Sequence, residues 1–331
     1  MPARSDMQTQ KATPYRVAFF LTFALLLAAC TDNKSEYAVI TNQLANSVSV
    51  INTHSQQVIK SIPVGHSPAG IAISPEHHRA FVSNPDGQSV SVIDLNAFTE
   101  IKQIPVGSGP VGITANRAAD RVYVADWYDN NVRIIEPGSG NTIDTINVGK
   151  SPAGMVLDEN RQRLYVANRD DNNVAFIDLK NKQLINSIRV GKAPFGLALT
   201  PDGRYLYSVN VQSSDVTVID TDNASVISTI TVGEWPYCAA VSPDGKKLYV
   251  TNQDDSSLSV IDTASNHVTN TIAVEDTPEG VDTTADGKLI YVANWGSGSM
   301  SVIDADSETL IRTIKTDKGS RAFGQFIIEL E

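Results

Sequence analysis

An all-β ring of seven four-stranded antiparallel blades, a seven-bladed β-propeller, is the fold the sequence predicts, and three observations predict it. A proline recurs every 42 residues at Pro68, Pro110, Pro152, Pro194, Pro236 and Pro278, with Ser320 in the seventh slot. Two polar series keep the same step. One runs Asn42, Asn84, Asp126, Asn168, Asn210, Asn252 and Asn294, the other Asn52, Asp94, Glu136, Asp178, Asp220, Asp262 and Asp304. Within each period, short β-forming runs alternate with turn residues, and four short strands every ~40–45 residues is the spacing of a propeller blade. Seven such units fill residues 37–330 without an insertion.

The unit near the middle of the chain justifies each element in turn. Ala239–Ser242 is a short apolar strand. Pro243-Asp244-Gly245 is a turn, because proline presets φ and glycine accepts a positive one. Leu248–Asn252 and Leu258–Asp262 alternate apolar and polar residues, as half-buried strands do, and polar residues join them. Thr263–His267 turns the chain into an outer strand, Val268–Val274. The acids ending the third strands are expected to cap the following turn, and the amides ending the second strands to satisfy loop backbone. The glycine two residues after each proline lets the inner strands approach the axis.

The ends of the chain predict how the ring closes. The first repeat begins at Tyr37, in what is the second strand of a blade elsewhere, and Phe323–Leu330 is a first strand without a blade. Together they make the seventh blade, one strand from the C-terminus and three from the N-terminus, which removes open sheet edges.

Composition narrows the function classes. The chain has 331 residues, 41% hydrophobic and 19% charged, which is globular. Its net charge of −11 opposes generic binding to a phosphate backbone, so no nucleic-acid partner is expected. Two cysteines supply neither a disulfide framework nor a Cys-rich zinc site, and there is no CxxCH for covalent haem.

The first thirty residues read as an address. Arg4, Lys11 and Arg16 precede Val17–Ala29, thirteen residues without a charge, too short to span a bilayer and the length of a signal-peptide core. Leu27-Ala28-Ala29-Cys30 resembles a bacterial lipobox, which implies cleavage before Cys30 and lipidation of its thiol. Residues 30–36 then form a tether to the domain at 37–331, and Thr31 after Cys30 leans to the outer membrane. Loss of three basic residues and one acid leaves a mature charge of −13. The expected location is the cell envelope, outer membrane or periplasmic face, with the membrane met only through the lipid and the domain monomeric. Cys238 is then a lone thiol in an oxidising compartment.

Tyr249-Val250-Thr251-Asn252, the Pro-Asp-Gly turns and Val260-Ile261-Asp262-Thr263 are similar to the YVTN-repeat β-propeller family, over essentially all of the mature chain. Relatives of that type include surface-layer and periplasmic binding proteins, lactonases and d1-haem domains, so the resemblance implies a fold more than an activity.

Departures from the repeat mark candidate functional residues. The fourth-to-first-strand and second-to-third-strand loops share one face, the loop face. It holds all three tryptophans, Trp127, Trp235 and Trp295, together with Tyr128, Phe195 and Tyr237. The residue after each proline rims the channel: Ala69, Val111, Ala153, Phe195, Tyr237, Glu279 and Arg321. Glu279 and Arg321 are neighbours in consecutive blades, His66 lies in the next loop round, and Arg169 follows Asn168 on the same face. Cys238 replaces a rim glycine. Aromatic walls with converging charges have the composition of a ligand or peptide site. His54, His77, His78 and His267 fall in turns on the opposite face and read as solvated, so no metal ligand and no cofactor is expected.

No GxSxG, HExxH or P-loop is present. The reading these residues favour is an anchored scaffold that binds an envelope protein or small-molecule ligand through the loop face. A lactonase-like hydrolase or lyase would use Glu279 or His66 as base and Arg321 to hold an oxyanion. Tetrapyrrole or metal handling is the third reading, with His66 alone as an axial candidate.

Overall fold

Two strands that end on the same face and begin the next blade build a ring only if each blade repeats its neighbour's register, and it does. A computed structural model describes residues 35–330, together with Met1 and Ala3; the leader Val17–Ala29, Cys30 and most of the tether lie outside the described residues. Six sheets of four antiparallel strands follow one another along the chain, with inner strands at Ile71–Ser74, Pro110–Ala115, Pro152–Asp158, Pro194–Leu199, Pro236–Val241 and Pro278–Thr283. We number these blades one to six. The unit around residue 250 is the fifth, with its later strands at Lys247–Asn252, Ser257–Asp262 and His267–Ala273.

Turn chemistry matches residue type. Gly203, Gly245 and Gly287, each after Pro-Asp or Ala-Asp, take φ near +70°, a region open to glycine at no steric cost. Asp262 Oδ1 accepts the Ser265 N–H at 2.8 Å, and Asp94, Asp178, Asp220 and Asp304 make the same kind of bond, so the repeated acids do cap their turns. The repeated amide works differently from expectation. Asn252 Nδ2 donates to Ser257 Oγ (3.0 Å) and Ser259 Oγ (2.9 Å), tying second strand to third rather than holding loop backbone. Only where an acid takes the slot is backbone held: Asp126 accepts the N–H groups of Ser108 and Gly109.

Between blades, aliphatic side chains of the second and third strands interdigitate, and Tyr165, Tyr207, Tyr249 and Tyr291 are wholly buried. Burial pushes the Tyr249 phenol up to about 12, so it stays neutral. Along the inner strands the glycine slot is filled by the neighbouring blade. A Cβ on Gly196 would lie 2.5 Å from the Tyr237 carbonyl oxygen and 2.7 Å from Cys238 Cα. Each outer strand carries a register shift against the third, as at Val260/Ile261. Such bulges twist an exposed edge away from pairing.

The seventh blade closes the ring, with two differences from the sequence reading. Its N-terminal strand is Ser35–Asn42, so Ser35 and Glu36 belong to the sheet and not to the tether. The C-terminal contribution is split. Ser320–Arg321 pairs with Asn42 and Thr41, Ile327–Leu330 pairs with Ala38 to Ser35, and residues between leave the sheet. There the chain meets the first blade: the Ile71 N–H donates to the Phe323 carbonyl at 3.0 Å. Asp282 of the sixth blade anchors the return, its Oδ2 accepting the N–H groups of Phe326 (2.8 Å) and Ile327 (2.9 Å).

Candidate functional site

The pairing of each inner strand's start with its second strand's end, as in Pro236 with Asn252, brings the two loop sets together on the loop face. The slot after each proline then points its side chain over the axis. Small residues (Ala69, Ala153) occupy one arc, and Phe195, Tyr237, Glu279 and Arg321 the other. These four meet. Phe195 stacks on Tyr237 with ring centroids 4.3 Å apart, and both rings contact Phe323, at 5.0 and 5.5 Å. Arg321 Nε lies 2.7 Å from Glu279 Oε2, its Nη2 donates to the Tyr237 hydroxyl at 3.3 Å, and its guanidinium sits 4.4 Å over the Phe323 ring. Gln253 Nε2 donates to the other carboxylate oxygen, Glu279 Oε1, at 3.0 Å.

The result is a plug. Glu279 and Arg321 are buried, not rim-exposed, and each carboxylate oxygen of Glu279 has a donor. Burial pushes the Glu279 carboxyl up against the pull of Arg321, and pushes the Tyr237 phenol up. Arg321 loses by burial what it more than regains from Glu279 and Tyr237, so the guanidinium stays charged. A buried pair of this kind is held by its geometry and its satisfied hydrogen bonds.

Other candidate residues surround the plug. Trp127 is half-buried, 6.4 Å from Phe195, with the Arg169 guanidinium 5.9 Å from its ring centroid. Arg169 also pairs with Asp170 at 2.8 Å. Tyr128 and Trp235 point outward, 71% and 42% exposed. Trp295 sits in Trp127's slot but faces the seventh blade, where its Nε1 donates to Gln43 Oε1 at 2.9 Å. His66 is exposed, and among the described residues no hydrogen bond or ion pair joins its ring to Glu279 or Arg321. The structure thus brings Glu279, Arg321, Tyr237 and Phe195 together and leaves His66 and Trp295 apart from them.

Three contributors were missed from sequence. Gln253 occupies the slot after the repeated Asn, the slot of Trp127 and Trp295, so slot counting could have found it. Phe323 stands 252 residues after Ile71, six whole repeats, which places it on the axis. Asp282 is an acid in a slot that other blades fill with Ala72, Thr114, Val156, Ala198 and Ala240, a departure the same counting exposes. Cys238 is buried beside the plug, and burial raises its thiol, so it behaves as a packing residue. Its N–H donates to Thr251 Oγ1 at 3.1 Å. Beneath the plug the channel opens into a cavity of about 680 Å³ that reaches the opposite face between the Pro75, Arg117, Glu159 and Pro201 turns.

The YNCE-like β-propeller family matches residues 14–119 and 113–327, which is most of the sequence. The chain belongs to that family. Among curated proteins none matches this YNCE-like propeller. Among solved structures, hydrazine synthase of Kuenenia stuttgartiensis superposes with a TM-score of 0.72 at 23% identity, over 80% of this chain and 91% of that one. A protein from Lactobacillus plantarum gives 0.75 at 17% identity, over 90% and 99%. Dihydro-haem d1 dehydrogenase NirN, in complex with DHE, gives 0.67 at 13%, over 85% and 73%. At these identities the likeness is one of fold.

Proposed function

We propose that this YNCE-like propeller is an envelope lipoprotein, anchored through Cys30, whose loop face is a rigid surface for holding a partner protein. The observation that carries the proposal is Trp235. It is 42% exposed and sits at φ +55°, in a slot where other blades place Ser67, Ser151, Ala193, Thr277 and Gly319. A bulky residue in left-handed backbone costs about 1 kcal/mol or more. The buried part of the Trp235 side chain offsets that cost, while two-fifths of it stays in solvent, and an exposed aromatic held at fixed geometry suits recognition. Tyr128 is a second exposed ring on the same face, and the plug beneath fixes both loops without offering free groups. That favours binding over chemistry: Glu279 and Arg321 are already spent on each other, and among the described residues no hydrogen bond or ion pair brings His66 to them.

The test is a photo-crosslinking amino acid placed at Tyr128 and, separately, at Ile143 on an outer strand, in cells making the full chain. A single discrete product from position 128, absent from 143 and lost on Trp235→Ala, is the expected result. Products equal at both positions, or unchanged by Trp235→Ala, would overturn it. The anchor is checked by mass spectrometry of the mature N-terminus, with Cys30→Ser expected to remain unlipidated and unprocessed.

A further inference from the structure

The axial cavity lies on the far side of the plug from the loop face and is a separate site. Its volume, about 680 Å³, falls in the range of small-molecule pockets. Three features of its wall decide what it could hold.

The first is apolar. Ile73, Ala115, Leu157, Leu199 and Val241 occupy one slot of five successive inner strands, and all are half-buried around the cavity. The Phe195 and Phe323 rings close the inner end.

The second is the backbone. Inner strands have no partner on the axial side, so alternate N–H and C=O groups turn toward the channel. The Ile71 N–H shows that direction by donating to Phe323. Ile113, Met155, Leu197 and Ala239 hold the equivalent place in their pairings. A ligand therefore finds hydrogen-bonding groups at intervals along an otherwise apolar wall.

The third is charge. Among the described residues Arg117 is the one basic residue lining the cavity, and it lies at the mouth beside Glu76 and 3.6 Å from Glu159. Deeper in, Asp282 is buried and faces the cavity. Its carboxylate accepts three backbone N–H groups, from Phe326, Ile327 and Thr283. A carboxylate has about four lone-pair sites, so one is left over. Among the described residues no cationic side chain pairs with it. An entering anion would meet this buried charge with no cation beside it, whereas a cation would find a partner there.

We propose that the axial cavity binds a small organic amine. Its ring body packs between the aliphatic collar and the Phe195 and Phe323 rings, and its ammonium group faces Asp282. The inference does not depend on the loop-face partner.

Three probes of nearly equal shape test it: tryptamine, tryptophol and indole-3-acetate, titrated calorimetrically into the detergent-solubilised full chain at neutral pH. Tryptamine is expected to bind at least tenfold more tightly than tryptophol, and indole-3-acetate more weakly than either. Asp282→Asn should remove the preference for the amine while leaving tryptophol affinity within a factor of two. Because Asp282→Asn also touches ring closure, Leu199→Trp is the second variant: it fills the collar without removing a hydrogen bond of the closing chain and should abolish binding of all three. Ile143→Ala, on an outer strand away from the cavity, should leave the binding of all three unchanged. Absence of tryptamine binding, equal binding of the acid and the amine, or amine binding that survives Leu199→Trp would each overturn the proposal.

Discussion

Arg321 Nε meets Glu279 Oε2 at 2.7 Å across the boundary between the sixth and seventh blades, with both side chains about nine-tenths buried. The contact ties the closing strand to its neighbour at the very point where the chain ends meet. Removing one partner of a buried pair strands the other, at a cost of about 3–5 kcal/mol. Glu279→Leu and Arg321→Leu should each destabilise by that amount. The double variant should cost clearly less than their sum, because the penalty in each single variant is mostly an unpaired buried charge. Chemical denaturation of the three variants gives the coupling energy directly, and additive losses would show that the pair does not act as a unit.

Asp282 makes a prediction of opposite kind. Burial pushes its carboxyl from an ordinary 3.8 up to about 6, despite three backbone donors that pull it down, and Glu36 adds to the rise. The folded state therefore holds this proton more tightly than the unfolded state does. Its contribution to stability is fully present below pH about 4 and is lost as pH rises through about 6, a span on the order of 3 kcal/mol. Other carboxylates, such as Asp244, held down to about 2 by Ser242 and Lys246, change stability outside that window. The measurement is the difference between wild type and Asp282→Asn across pH 3.5–7.5. The wild type should lose stability relative to the variant as pH rises, and a difference that stays flat would contradict the assignment.

Much of this was legible in the sequence because the fold is periodic. A step of 42 fixes which residues share a slot, so Glu279 and Arg321 had to be neighbours, and Phe195 and Tyr237 had to rim the same channel. Slot counting gives angular position around the axis. It does not give depth, which depends on rotamer and on how far each blade leans inward. That is why the aromatic residues read as an open funnel, whereas Phe195, Tyr237 and Phe323 fold over the axis into a plug. The closing strand was misread for a related reason: Ala322 and Phe323 keep the repeat spacing, yet the Ile71 N–H and the Asp282 carboxylate draw the chain out of the sheet. The cavity beneath follows from that excursion and has no signature in spacing, whereas Asp282 in its wall does, as an acid in the slot of Ala72, Thr114, Val156, Ala198 and Ala240.

The glycine slot yields a packing prediction. Gly196 faces the Tyr237 carbonyl so closely that even a methyl group would stand 2.5 Å from the oxygen, and the near atoms are backbone of Tyr237 and Cys238, which leaves nothing flexible to yield. Gly196→Ala should destabilise by about 1–3 kcal/mol, the range for overpacking a filled core. Gly138, at an exposed turn where a Cβ would have nothing within 4 Å, provides the control. Gly138→Ala should stay within about 0.5 kcal/mol of wild type. Thermal melts of the two variants side by side distinguish a steric cause from the general effect of replacing glycine.

Ring closure can be weighed by the apolar groups it buries. Phe326, Ile328 and Leu330 are 0%, 2% and 6% exposed, and they pack with Val39 and Ile40 of the N-terminal strand. Full burial of such a side chain contributes about 1.5–3 kcal/mol, so the three together supply roughly 5–9 kcal/mol. That is comparable with the whole stability of an ordinary domain, about 5–15 kcal/mol. Deleting residues 326–331 therefore should not merely fray an end. It leaves Ser35 to Ala38 without an inner neighbour, removes the acceptor of the Val39 N–H at 2.8 Å, and opens an apolar edge. The truncated chain should lose its cooperative thermal transition, and a synthetic peptide spanning residues 326–331 should restore it by adding the missing strand in trans. A truncated chain that melts cooperatively within a few degrees of wild type would mean that the other six blades hold the ring without the clasp.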